Sequence, residues 1–258
     1  MKPCTGLAEY VVDIIVHKII VKYRRIWQMV KIAPSLMNMS LLQVEHDLHI
    51  LDSITDLYHV DIIDGHYVPN MCLTPHFIAQ IRPVTSKPIE AHLYVDGIDK
   101  AFIDTCIDAG ASLLTLPADG VGRSIHRFCD YIHERGAKVG AFINPADPVN
   151  VISSYATELD SLLVLSVDPG FTGQKFIEGT YDRIVEAKVL RAEVGAHYEI
   201  AIDGGCNATN YRLLIEAGCD VLNLGRGLFD NGDSLEESAR CTYEEIQTAA
   251  REASKMSF

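Results

Sequence analysis

The sequence predicts an α/β protein: a single-domain (β/α)8 TIM barrel preceded by an N-terminal extension. Three observations predict it. After residue 30, short apolar runs alternate with longer amphipathic stretches eight times, in units of roughly 20–30 residues, the spacing of βα units on a parallel sheet. Three helical stretches close on glycine, at Ala109-Gly110, Arg135-Gly136 and Ala217-Gly218, with the next strand almost at once. No G-x-G-x-x-G follows the first strand, which removes the main signature of an open dinucleotide sheet, and 258 residues suit one closed barrel.

The elements follow in order. Residues 1–29 form an extension of unknown role, and residues 30–258 form the barrel. Within the extension, the run 11–27 is apolar but broken by Asp13, His17, Lys18 and Lys22. A span needs about 20 mostly apolar residues, so no membrane association is expected. The run also lacks the small-residue cleavage site of a signal peptide. Two readings of the run stand side by side: an amphipathic surface or docking helix, or, because Val30 opens the first strand, a natural start at Met29 that leaves residues 1–28 outside the working protein. Strands are predicted at 30–37, 57–64, 88–95, 112–118, 137–144, 161–168, 198–205 and 220–225. The first helix is predicted over 41–51, where Leu41, Leu42, Val44, Leu48 and Leu51 recur at helical spacing. Further helices are predicted over 74–81, 100–109, 124–135, 149–159, 181–194, 208–217 and 234–253. No low-complexity or Pro/Ser-rich linker divides the chain.

Composition narrows the function. The balance of 22 Lys+Arg against 35 Asp+Glu gives a formal net charge of −13, which argues against nucleic-acid binding and favours solubility. An anionic substrate would need local attraction, from backbone N–H groups or a metal. The seven cysteines are scattered with no C-x-x-C pair, so a disulfide framework or structural zinc site is not expected and a cytoplasmic location is.

Barrel chemistry sits at the C-terminal ends of the strands. Strand two ends His59-Val60-Asp61-Ile62-Ile63-Asp64-Gly65, and His59 and Asp61, two apart, share a face. Strand three carries His92 and strand seven carries Asp203. A single histidine or aspartate in a strand is usually an ordinary core or surface residue. Four together at predicted strand ends reverse those odds. Two imidazoles and two carboxylates suit one divalent ion of the Zn, Fe, Mn or Co type. Two carboxylates from distant strands suit a pair that removes a proton and returns one. Asp64 reads either as support for this group or as the start of the Gly65 turn.

A phosphate site is expected beside this cluster. Gly170 and Gly173 follow strand six, Gly204 and Gly205 follow strand seven, and Gly225-Arg226 follows strand eight. Each glycine pair alone reads as a tight turn. Three in succession let backbone N–H groups approach an anion where such barrels often bind phosphate, and Arg226 adds a charge-assisted contact.

These segments resemble the ribulose-phosphate 3-epimerase family over about residues 30–250. The matching motifs are Ala33-Pro34-Ser35-Leu36-Met37, the run from His59 through Asp64-Gly65 to Pro69-Asn70, Ala91-His92-Leu93, Asn144-Pro145, the run Val167 to Phe176, and Ile202-Asp203-Gly204-Gly205. Met37-Asn38-Met39, Cys72-Leu73-Thr74-Pro75 and Tyr198-Glu199-Ile200 lean toward its D-allulose-6-phosphate 3-epimerase branch. The resemblance implies a metal-dependent isomerase that inverts C3 of a ketose phosphate, either D-ribulose 5-phosphate or D-allulose 6-phosphate. It implies His59, Asp61, His92 and Asp203 as metal ligands, and Asp61 and Asp203 as the acid–base pair. It further implies Ser35 as a substrate contact, and Gly170, Gly173, Gly204, Gly205 and Gly225 as the phosphate loops. A homo-oligomer is also expected.

The chain departs from the family pattern at several points. Ile63, Tyr94 and Leu165 stand where the family places methionines, Leu116 stands where it places a histidine, and Arg226 replaces a small residue. The related decarboxylase and hexulose-phosphate synthase group uses an Asp-x-Lys-x-x-Asp array, and no lysine follows Asp61. Lys31 and Lys138 sit at strand starts, away from the chemistry. The rival class is a non-catalytic sugar-phosphate binder, which has no need of two opposed carboxylates.

Overall fold

The computed structural model describes residues 30–255, so the expectations for the N-terminal extension, Met29 included, lie outside the described residues. The strands are β1 (Lys31–Pro34), β2 (Tyr58–Ile63), β3 (Ile89–Tyr94), β4 (Leu113–Pro117), β5 (Lys138–Ile143), β6 (Ser161–Leu165), β7 (Glu199–Asp203) and β8 (Val221–Leu224). They form one eight-stranded sheet in the order β1-β8-β7-β6-β5-β4-β3-β2, every ladder parallel. A parallel bridge between Ser35 and His59 brings the two edge strands together and closes the barrel.

Strand alternation builds two cores. Outward residues such as Val60, Ile62, Leu93 and Leu162 join the layer between strands and helices. Inward residues, among them Ile63, Tyr94, Phe142, Leu163 and Ala201, fill the lumen. Strands covered on both faces read as continuous apolar runs, and β2 and β3 are buried at every position. At the N-terminal end of the lumen Lys31 Nζ meets Glu199 Oε1 at 2.7 Å, so a charged pair spans that end.

The helical shell comprises α1 (Val44–Leu51), α2 (Pro75–Ile81), α3 (Lys100–Asp108), α4 (Ala118–Val121), α5 (Ile125–Glu134), α6 (Thr180–Glu193), α7 (Tyr211–Ala217), α8 (Arg226–Phe229) and α9 (Leu235–Lys255). Helix α5 buries Ile125, Phe128, Cys129 and Ile132, one stripe at helical spacing. Helix α9 buries mainly small residues and lies against α7 and α1. The buried tyrosines Tyr58 and Tyr198 pin helices to strands, donating to Leu48 O at 3.1 Å and Ala187 O at 2.7 Å. Gly218 ends α7 at φ +115°, in a left-handed cap that a side chain rarely adopts, as the Ala-Gly pairing predicts. Gly110 and Gly136 close α3 and α5 in the same conformation.

Two predicted helices are corrected. The helix expected over 41–51 begins only at Val44, and Leu41 and Leu42 are exposed in the preceding turn, where Gln43 N–H donates to Ser40 O at 3.1 Å. The helix expected over 149–159 is two 3₁₀ turns, Val149–Ile152 and Ala156–Glu158. Ser153 caps the first by donating its hydroxyl to Asn150 O at 2.7 Å, a local bond that competes with helix propagation. No helix among the described residues is long and apolar enough to cross a membrane.

Candidate active site

Period-two geometry aims His59, Asp61 and Ile63 of β2 into the lumen, and Glu90, His92 and Tyr94 of β3 beside them. The β2–β3 register pairs His59 with Glu90 and Asp61 with His92. His59 Nε2 lies 3.1 Å from Asp61 Oδ1 and 3.1 Å from His92 Nδ1. His92 Nδ1 is 3.3 Å from Asp61 Oδ1. From β7, Asp203 Oδ2 reaches to 3.9 Å from both ring nitrogens. One ligand atom from each of the four residues therefore falls within 4.8 Å of every other. Both histidines and Asp61 are buried, and Asp203 is partly open to the mouth.

The donor set fits a divalent transition metal. Two imidazole nitrogens and a carboxylate oxygen crowded at about hydrogen-bond distance need a shared proton or a shared cation, and two histidines with two carboxylates suit a borderline ion. Behind His59, Glu90 Oε2 sits 2.7 Å from its Nδ1, while Thr115 Oγ1 donates to Glu90 Oε1 at 2.5 Å. A carboxylate behind a histidine fixes its tautomer and orientation, leaving Nε2 free for a metal. Burial works against the Glu90 anion, but the charge of His59 outweighs it and holds the carboxyl below its ordinary range.

The two aspartates are electrostatically distinct. Burial raises the Asp61 carboxyl on its own, but His59 and His92 overcome it and hold the group far below its usual range. Ser35, buried at the end of β1, adds a hydrogen bond from its hydroxyl to Asp61 Oδ2 at 2.9 Å. For Asp203, burial prevails, with the negative charge of Asp61 adding to it, and the carboxyl is raised. The same lumen raises the Tyr94 phenol well above its usual value, through burial and then the charges of Asp203 and Asp61.

Above the cluster opens a cleft of about 310 Å³. Its walls include Ser35, Asp61 and Asp203 together with Gly170, Gly173, Gly204, Gly205, Gly225 and Arg226, while His59 and His92 lie beneath its floor. The sequence-predicted site residues thus converge on one end of the barrel. Gly204, at φ +104°, is packed so closely that an added Cβ would come 2.5 Å from Val167 Cγ2. Ser166 ties the ends of β6 and β7 together, donating to Asp203 O at 2.8 Å. An added Cβ on Gly173 would lie 2.8 Å from Arg226 Nη1, so the guanidinium of α8 lies over the β6 loop. Arg226 also pairs with Asp230 at 2.8 Å on the surface.

Sequence reasoning passed over Glu90 and an aromatic wall. Glu90 carried a signal, because it precedes His92 by two and so faces the lumen. The wall joins Tyr94 to His92 and Phe142, at ring-centroid separations of 4.1 and 5.1 Å, with Tyr67 stacked beyond at 5.9 Å from Tyr94. Tyr67 donates to Asp119 at 2.9 Å and accepts from Asn144 at 2.9 Å, which anchors the wall to the β4 and β5 ends. Asp64 belongs to the turn: its Oδ1 accepts from the backbone of His66 at 2.7 Å and of Tyr67 at 3.0 Å.

A closed parallel barrel with a His/Asp cluster that could hold a metal ion, and a glycine-walled cleft above it, defines the class as a barrel with its candidate site at the C-terminal strand ends. The comparisons place it more closely. The chain belongs to the ribulose-phosphate 3-epimerase family, whose model, described as the Ribulose-phosphate 3 epimerase family, matches residues 31–229. It is 35% identical over 207 residues to the ribulose-phosphate 3-epimerase of Bacillus subtilis (strain 168), covering 80% of this chain and 94% of that one. Identity to the Escherichia coli (strain K12) ribulose-phosphate 3-epimerase is 33% over 204 residues, 78% of this chain and 90% of the other. Among solved structures, 3-hexulose-6-phosphate synthase from Salmonella typhimurium superposes with a TM-score of 0.64 at 16% identity, covering 85% of this chain and 99% of that one. A mutant tryptophan synthase alpha-subunit from Pyrococcus furiosus gives 0.62 at 14% identity, over 84% and 96%. At such identities these two likenesses speak for the barrel alone.

Proposed function

We propose that this epimerase inverts C3 of a ketose phosphate, interconverting D-ribulose 5-phosphate and D-xylulose 5-phosphate. The observation that carries the reading is the convergence of Asp61 from β2 and Asp203 from β7 on one pair of imidazole nitrogens. Epimerisation through a planar intermediate needs a proton removed from one face and another delivered to the opposite face, and two carboxylates on distant strands supply both.

The protonation states divide the labour. Asp61, held ionised by the histidines and the Ser35 hydroxyl, takes the C3 proton in one direction. Asp203, whose carboxyl is pushed up by burial and by the Asp61 charge, is the group that returns a proton from the other strand. In the reverse direction the roles exchange. His59, Asp61, His92 and Asp203 would hold a divalent ion of the Zn, Fe, Mn or Co type, which would supply Lewis-acid stabilisation of developing negative charge. Backbone N–H groups of the glycine loops after β6, β7 and β8 hold the phosphate, with Arg226 adding a cation from above. Seven scattered cysteines with no C-x-x-C pair support a reducing, cytoplasmic setting for this activity.

The choice of pentulose follows the relatives, which are ribulose-phosphate 3-epimerases. The lean toward the D-allulose-6-phosphate branch rests on short sequence motifs. The test is a side-by-side assay of D-ribulose 5-phosphate and D-allulose 6-phosphate with metal-loaded protein. Higher kcat/KM with the pentulose is expected. Higher kcat/KM with the hexulose overturns the substrate assignment, and turnover of neither overturns the epimerase reading in favour of a non-catalytic binder.

A further inference from the structure

The phosphate loops, the cluster and the aromatic wall lie in sequence around the mouth. In the strand order β3 lies across the barrel from β7, so a ketose anchored by its phosphate at β6–β8, with C3 between Asp61 and Asp203, would extend C1 toward β3. Tyr94 stands there. It is the last residue of β3, one inward position beyond His92, and its ring packs on His92, Phe142 and Tyr67. The residue is buried, yet it lines the cleft. Its hydroxyl makes no hydrogen bond to any other described residue, whereas the hydroxyl of neighbouring Tyr67 is fully engaged. A phenol packed against three rings, belonging to a residue that lines the cleft and with its hydroxyl uncommitted, can serve a ligand atom.

We propose that Tyr94 is a specificity-determining residue whose hydroxyl hydrogen-bonds the C1 hydroxyl of the ketose. The inference rests on the epimerase reading and deepens it. The oxygens on C2 and C3 lie against the His/Asp cluster, where charge develops. The C1 hydroxyl is the remaining polar group at that end, and Tyr94 is the side chain that faces it. The same ring closes the β3 side and excludes substituents larger than a hydroxymethyl group at C2. Phe142 has no donor and the Tyr67 hydroxyl is held by Asp119 and Asn144, so Tyr94 carries the one uncommitted hydroxyl of the wall; His92 Nε2 is also unpartnered, but that ring is fully buried and does not line the cleft.

The experiment is a cycle over Tyr94→Phe and a substrate lacking the C1 oxygen. Phenylalanine keeps the ring packing and removes only the hydroxyl, so the variant is expected to fold as the parent does. kcat/KM is measured for D-xylulose 5-phosphate and for 1-deoxy-D-xylulose 5-phosphate with both proteins. Tyr94→Phe is expected to lower kcat/KM about tenfold for the first compound and to leave the second unchanged, because the partner oxygen is already gone. Equal losses on both compounds, or no loss on either, overturn the proposal. If the parent protein turns over neither compound, the epimerase reading fails. Calorimetric dissociation constants for the same two compounds then close the same cycle, and the same inequality decides for or against the Tyr94 contact.

Discussion

Glu90→Gln separates charge from shape behind the metal-type cluster. The carboxylate faces His59 Nδ1 at 2.7 Å and Thr115 Oγ1 at 2.5 Å, all three groups buried. Glutamine retains the volume, turns its carbonyl oxygen to the His59 N–H and its amide to the threonine oxygen, and removes the negative charge. Hydrogen bonds to charged groups contribute about 1.5–3 kcal/mol and neutral ones about 0.5–1.5 kcal/mol, a difference of about 1–1.5 kcal/mol. That corresponds to about a tenfold change in an equilibrium constant, within the range of about 10–100-fold seen when partners of ligating histidines are removed. We predict that Glu90→Gln weakens divalent-metal binding about tenfold, measured by competition with a chromophoric chelator, and that excess metal restores most of the activity. Glu90→Ala, which leaves the imidazole N–H unpaired beside a cavity, is predicted to cost about 3–5 kcal/mol of stability as well. Unchanged metal affinity in Glu90→Gln would refute the reasoning, because the carboxylate would then do nothing for His59 beyond filling space.

Four further predictions follow from the same geometry. Asp61→Asn and Asp203→Asn are each expected to lower kcat by at least about 10³-fold, with an unaltered circular-dichroism spectrum; substantial turnover in either purified variant contradicts a two-carboxylate mechanism. A strong chelator is expected to abolish activity and a divalent transition metal to restore it, so activity persisting in protein shown metal-free by elemental analysis excludes the metal's role. Arg226→Ala is expected to raise KM for a ketose phosphate several-fold with little change in melting temperature, since its exposed pair with Asp230 contributes no more than about 1 kcal/mol. Burial raises the Cys106 thiol from 9.0 to about 12, so the protonated form is favoured in the folded state; its stabilisation is present below pH 9 and lost as pH rises toward 12. A thermal-unfolding series across that window should fall less steeply for Cys106→Ala than for the parent.

Much of this was legible because strand alternation is strict. His59 and Asp61, two apart, had to share a face, and placing that face inward brought His92 and Asp203 with it. The glycines at 110, 136 and 218 announced their turns because only a left-handed cap uses them there. What escaped depends on register between strands, which no single-strand period encodes. The pairing of His59 with Glu90 and the approach of Lys31 to Glu199 are set by how the strands slide past one another when the barrel closes. The Tyr67–Tyr94–Phe142 wall draws on a loop and two non-adjacent strands. Leu41 and Leu42 misled for the opposite reason: apolar spacing continues past the helix start, although the chain there is an exposed turn.

The most direct measurement is the isotope at C3. Metal-loaded enzyme is run to low conversion with D-ribulose 5-phosphate in D2O, and the product is examined by proton NMR. Abstraction by one carboxylate and delivery from the other, which exchanges with solvent, predicts D-xylulose 5-phosphate carrying deuterium at C3. Product that keeps the substrate's own hydrogen at C3 contradicts the opposed-aspartate account.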